Sequence, residues 1–109
     1  MRLVNLTPHK IHLHVDGQII MLPPARSPAR CYVSQQKTDV IEVDGAPVPV
    51  YATGNTVINL PPPSPDTQYV VSLPVAQLCR DRPDLLVPYR MLRNVARRVI
   101  GCQALARVQ

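Results

Sequence analysis

Thirteen prolines divide this chain of 109 residues, and nearly every one lies between apolar runs rather than inside them. Proline has no backbone N–H and fixes φ, so it is kept out of helix interiors and off the donor side of a sheet. The chain therefore reads as a series of short segments with marked ends. Ile11, Leu13 and Val15 alternate with Lys10, His12 and His14, the period of a half-buried strand. Asp16-Gly17 supplies the positive φ angles of a tight hairpin turn, and Gln18–Leu22 is the returning strand, closed by Pro23-Pro24. Arg30–Ser34 is predicted as a third strand. A second Asp-Gly pair, Asp44-Gly45, joins Asp39–Val43 to Ala46–Tyr51. Pro47 and Pro49 are two apart, so both missing donors fall on one side of that strand, which must lie at an edge or end its pairing there.

The second half is punctuated in the same way. Val57–Leu60 reads as a short strand, and Pro61-Pro62-Pro63-Ser64-Pro65 as an extended surface connection. With 60 residues before it and 44 after it, two independent cores are disfavoured by surface-to-volume scaling, so residues 1–109 are expected to form a single compact domain. Gln68–Ser72 has the composition of a buried central strand. Ser72 is placed to start a short helix with Pro74 in its first turn and Val75–Cys79 as its body. Pro83 ends that helix, and Leu85–Val87 is a strand stopped by Pro88. Fold class follows as α+β: a small, mostly antiparallel sheet with two Asp-Gly hairpins and one short helix. For Tyr89–Gln109 two readings compete. The apolar spacing slightly favours an amphipathic basic helix; the alternative is a hairpin turning at residues 94–97, supported by Gly101, which costs a helix interior about 1 kcal/mol.

Composition limits function more than it defines it. Hydrophobic residues make up 46%, yet the chain has four Tyr and no Phe or Trp. The core must be aliphatic, and base stacking on aromatic rings, the usual basis of single-strand nucleic-acid binding, has little to work with. No apolar stretch approaches the roughly 18 residues of a membrane span, and Asn5, Thr7 and Pro8 break up the N-terminal region where a signal peptide would be apolar. Cys31, Cys79 and Cys102 are odd in number and without CxxC spacing, the pattern of reduced structural thiols in a cytoplasmic protein.

Candidate chemistry is sparse. His12 and His14 share a strand face, and His9 lies nearby, but Lys10 would repel a cation and no carboxylate or cysteine is paired with them; neither a metal nor any other cofactor is expected. The cysteines lack a neighbouring base, and no catalytic set is assembled, so the protein is expected not to be an enzyme. Charge is the remaining signal. Residues 1–79 carry five basic and five acidic side chains, while residues 80–109 carry seven arginines against Asp81 and Asp84. The whole net charge of +5 thus lies in the last thirty residues. A guanidinium fork suits phosphate and carboxylate. Arg26, Arg30, Arg80, Arg82, Arg90 and Arg93, with Ser72 at the strand-to-helix junction, are the candidate ligand-binding residues for an anionic partner. Arg97, Arg98 and Arg107 could extend the same basic face.

Several runs, Asn5-Leu6-Thr7-Pro8-His9, Leu22-Pro23-Pro24 with Ala29-Arg30, Tyr69-Val70-Val71-Ser72, Asp84-Leu85-Leu86-Val87-Pro88 and Arg98-Val99-Ile100-Gly101-Cys102, resemble a family of small uncharacterised proteins from phages, prophages and actinobacterial genomes. The resemblance spans nearly the whole chain and implies no known activity. It tips the terminal segment towards the hairpin, because such relatives carry Arg-Asp and then Gly-Arg before the Ile-Gly-Cys; here Asn94 takes the aspartate's place and Arg97 the glycine's, which weakens the turn. Together with the charge, it leads to the expectation of a non-enzymatic, homo-oligomeric phage-type protein in the host cytoplasm. Its expected partner is an anionic small molecule such as a nucleotide or cyclic nucleotide, and sequestering a signal of host immunity is one concrete form. The alternatives are a structural or assembly protein of the particle and, ranked lower, a basic nucleic-acid-binding accessory. No membrane partner is expected.

Overall fold

Both Asp-Gly pairs form the expected turns. Asp16 and Gly17 have φ of 50° and 71°, and Asp44 and Gly45 of 51° and 80°, the paired left-handed conformations that let a two-residue loop follow the strand twist. They close the hairpins β2 (Ile11–Val15) to β3 (Gln18–Leu22) and β4 (Arg30–Val43) to β5 (Ala46–Ile58). The remaining elements are β1 (Arg2–Asn5), β6 (Thr67–Val70), α1 (Leu73–Leu78), β7 (Leu85–Arg93) and β8 (Val99–Ala106) in a computed structural model that describes residues 1–109. Six strands form one mixed sheet in the order β1-β6-β7-β8-β2-β3, while β4 and β5 stand apart as a two-stranded antiparallel ribbon. This is a mostly-β fold with one short helix. Three of its pairings are parallel: β1 with β6, β6 with β7, and β2 with β8. No helix is long and apolar enough to cross a membrane.

The sheet curls until its two edges nearly meet. Asn5, the last residue of β1, is buried, and its Nδ2 donates to the Pro23 carbonyl at 3.0 Å and the Leu22 carbonyl at 3.4 Å, at the end of β3. The Ala25 N–H donates to the Thr7 carbonyl at 3.0 Å just beyond. A side-chain amide thus links the two edges where no ladder does, giving a nearly closed barrel.

The core has two parts, one on each side of β6. Val70 is fully buried with Ile11, Leu13, Leu22 and Cys102 inside the curl. Tyr69 and Val71 point the other way, into a cluster with Leu6, Leu85, Val87 and the helix residues Val75 and Ala76. A strand buried on both faces needs a continuous apolar run, which is what Tyr69-Val70-Val71 provides. Burying a valine fully is worth about 2 kcal/mol, and Val70, Val71 and Val75 are all fully buried.

Four local expectations are corrected. Residues 30–34 and 39–43 are one strand, and 46–51 and 57–58 are another, with Asn59 and Leu60 outside it. The polar stretch Gln35-Gln36-Lys37 between the two expected strands pairs directly with Thr53, Ala52 and Tyr51, because backbone pairing tolerates polar side chains on a solvated ribbon. Pro47 and Pro49 do lie on an edge strand, as their spacing requires, because β5 has only β4 as a neighbour. They sit opposite Glu42 and Val40, so their missing donors face outward and leave the ladder intact. Pro88 likewise does not stop its strand. It pairs with Leu105 while β7 runs on to Arg93, and its N-side faces the flank where β6 has already ended at Val70. The terminal segment is the β7–β8 hairpin, not the helix that spacing alone favoured. Lastly, Arg2–Asn5, which carries no turn signal of its own, is a strand.

The ribbon changes the outline of the molecule. The Cα radius of gyration is 18.8 Å and the extents are 65 × 39 × 26 Å, against about 13 Å for a compact chain of this length. Only the base of the ribbon, Cys31 and Val57, packs against the body.

Candidate binding cleft

Parallel strands deliver their C-terminal ends to one rim, and ligands of such sheets bind outside that rim. Here β1 and β6 end at Asn5 and Val70, and the segments that follow them, Thr7–Lys10 and Val71-Ser72, form one wall of a cleft of about 590 Å³. Ile11 and His12 of β2, Pro88 and Met91 of β7, and Val99–Cys102 of β8 complete it. The hairpin β7–β8 extends past the end of the barrel and supplies the far side. The walls are apolar, and the polar groups are few: His9, Lys10, His12, Thr7 and Ser72.

The Thr7–Lys10 wall is fixed by hydrogen bonds rather than by packing. Asn5 Oδ1 accepts from the Thr7 N–H at 2.9 Å and the Thr7 hydroxyl at 2.7 Å, while its Nδ2 donates to the His9 carbonyl at 2.8 Å. The Thr7 hydroxyl also lies 3.0 Å from the His9 carbonyl and accepts from the His9 N–H at 3.3 Å. Asn and Thr two residues apart are well suited to holding a turn in this way. The pattern was present in the Asn5–His9 run; its role was not evident because nothing in the sequence says that Asn5 is buried.

Gly101 fits closely against β2. A Cβ at that position would lie 2.5 Å from the His12 carbonyl oxygen and 2.7 Å from the His14 ring. His14 therefore covers Gly101, whereas His9 and His12 line the cleft. The three histidines considered as metal ligands are not gathered, and nowhere do three His, Cys, Asp or Glu side chains cluster closely enough to share a metal ion.

Of the seven ligand-binding candidates, Ser72 lines this cleft. It is the residue preceding α1, and its hydroxyl makes no capping bond to the helix. The arginines are distributed elsewhere. Arg82 forms a bidentate pair with Asp84 at 2.9 and 2.8 Å and also donates to the Pro61 carbonyl, which ties the proline-rich connection to the start of β7. Hydrogen bonding to Arg82 holds the Asp84 carboxyl below the usual carboxylate range, against the opposing effect of burial, and the same bond raises the Arg82 guanidinium. Arg80 donates to the Gln109 carbonyl at 3.1 Å. Arg93 reaches the Arg97 carbonyl across the hairpin turn at 3.0 Å. Arg90 is exposed and sits at φ 55° between the paired residues Tyr89 and Met91. Arg26 borders a shallower groove with Arg2 between the two sheet edges, and Arg30 is exposed at the start of β4.

Cys79 and Cys102 have the wrong electrostatics for nucleophiles. Burial pushes the Cys102 thiol up, only partly offset by backbone N–H groups of Tyr89 and Ala104. Burial and then Asp81 push Cys79 up as well. Comparison with known protein families, curated proteins and solved structures found no match.

Proposed function

We propose that the cleft at the open end of the barrel binds a small anionic ligand of nucleotide size without transforming it. The carrying observation is the lining itself: Lys10, His9, His12 and Ser72 border an apolar slot of about 590 Å³. That volume is in the ordinary range for small-molecule pockets, roughly 300–1,000 Å³. Pro8, Ile11, Met91, Val99 and Ile100 offer apolar contacts to a base-like ring, and Lys10 with the Ser72 hydroxyl offers a cation and a donor to phosphate. The exposed arginines of the neighbouring hairpin, Arg90, Arg93, Arg97 and Arg98, add a field that attracts an anion from a distance. Cys102, the cysteine of the cleft wall, is held towards its protonated form by burial, which favours binding over covalent chemistry at this site. In a chain of phage type, the biological counterpart of this reading is sequestration of a nucleotide signal in the host cytoplasm.

The test is thermal melting with a panel of mono-, di- and cyclic nucleotides. A ligand at 100 times its dissociation constant adds about 2.7 kcal/mol of stability, and Lys10→Ala and Ser72→Ala should abolish that shift. Silence across the panel removes the proposal. The projecting ribbon favours a second reading, a structural part of a particle, which predicts discrete rings or filaments in electron microscopy and no ligand shift.

A further inference from the structure

From Tyr32 outward the β4–β5 ribbon has no third layer on either face. An isolated two-stranded hairpin is marginal in water. Ile41 and Val48, opposite each other, and Val43 beside them are exposed, as are Val33, Val40 and Tyr51. Both ribbon edges are blunted, β5 by Pro47 and Pro49 and β4 by the register shift between Lys37 and Asp39, so strand addition is disfavoured and the faces remain. Charge says what those faces suit. The ribbon beyond its base carries Lys37 against Asp39, Glu42 and Asp44, whereas the rest of the chain carries eleven basic residues against four acidic ones. The strongest basic surface is the tip of the β7–β8 hairpin, where Arg93, Arg97 and Arg98 flank the fully exposed Val95.

We infer that the ribbon is an exchange arm: its acidic, apolar end docks on the basic β7–β8 hairpin of a second copy of this chain. Sedimentation velocity over a concentration series reads the association directly. Reversing the arm with Asp39→Lys and Glu42→Lys, or the hairpin with Arg93→Glu and Arg98→Glu, should weaken association at least about tenfold, equivalent to about 1.4 kcal/mol. All four positions are exposed. Placing both reversals in one chain swaps the sign of both surfaces and should restore association, which a misfolded variant would not do. A wild-type chain that stays monomeric, an oligomer indifferent to either reversal, or a four-site variant no better than the two-site ones would each overturn the inference.

Discussion

Replacing Asn5 tests whether one side chain closes the barrel. Asn5 makes three bonds through Nδ2, to the carbonyls of His9, Leu22 and Pro23, and two through Oδ1, to the N–H and hydroxyl of Thr7. In Asn5→Ala the Thr7 hydroxyl and the His9 carbonyl still have each other. The Thr7 N–H and the Pro23 carbonyl lose these partners, and the Leu22 carbonyl loses a long contact. A buried polar group left unpaired costs about 1–3 kcal/mol. Thr7 is buried whereas Pro23 is exposed to water, so the Thr7 N–H predicts a loss of about 1–3 kcal/mol. For a chain of this size that is a fall in Tm of roughly 4–13 °C. Asn5→Asp keeps the shape but turns a donor into an oxygen facing carbonyls. Its carboxyl is driven towards the protonated form in the folded state, so the folded pKa lies above the unfolded one and stability falls as pH rises through the unfolded value near 4. Chemical denaturation followed by circular dichroism at pH 4 and pH 7 reads both effects. A loss below about 0.5 kcal/mol for Asn5→Ala, or an Asn5→Asp variant no worse at pH 7 than at pH 4, would refute the clasp.

Three further outcomes follow from local geometry. Gly101→Ala should cost about 1–3 kcal/mol through overpacking, and adding His14→Ala should restore only part of it, because the His12 carbonyl is backbone and remains 2.5 Å from the new Cβ; denaturant midpoints decide. Asp84 has a folded pKa lowered by Arg82, so its stabilisation is full above the unfolded value and lost as pH falls below about 4 through the lowered one; Asp84→Asn should be less stable at pH 7 and show a flatter acid limb in an acid titration. Arg97 holds φ 60° at the β7–β8 turn, a conformation that costs a side-chain-bearing residue about 1 kcal/mol or more, so Arg97→Gly should raise Tm by a few degrees after the loss to unfolded-chain entropy.

The turns and the doubly buried strand were legible because each rests on local chemistry: Asp-Gly at 16–17 and 44–45, and the unbroken Tyr69-Val70-Val71 run. Proline was less informative than its frequency suggested. A ring at Pro47, Pro49 or Pro88 forbids a donor on one side of a strand, and whether a neighbour lies on that side is decided by distant pairing. For the same reason the parallel partners of β1 and β8 were invisible, since they are set by packing across most of the chain. Of the residues lining the cleft, Ser72 stood out in the sequence at the strand-to-helix junction, whereas His9, Lys10 and His12 drew notice only as a cation site. Arginine density located a basic surface but not a pocket, because guanidinium groups such as Arg82 are equally suited to tying loops together.

The pairing of β1 with β6 and of β2 with β8 also sets the order in which the chain acquires structure. Arg2 waits for Thr67, and Leu13 waits for Cys102, so neither pairing can form until the later strand has been made. The β4–β5 ribbon needs only its own turn and is local from end to end. Non-local pairing is slow because loop closure precedes the contacts that stabilise it. During synthesis the two Asp-Gly hairpins, β2–β3 and then β4–β5, are therefore the first elements able to form and the closed barrel the last, so the arm's own pairing precedes the body it projects from.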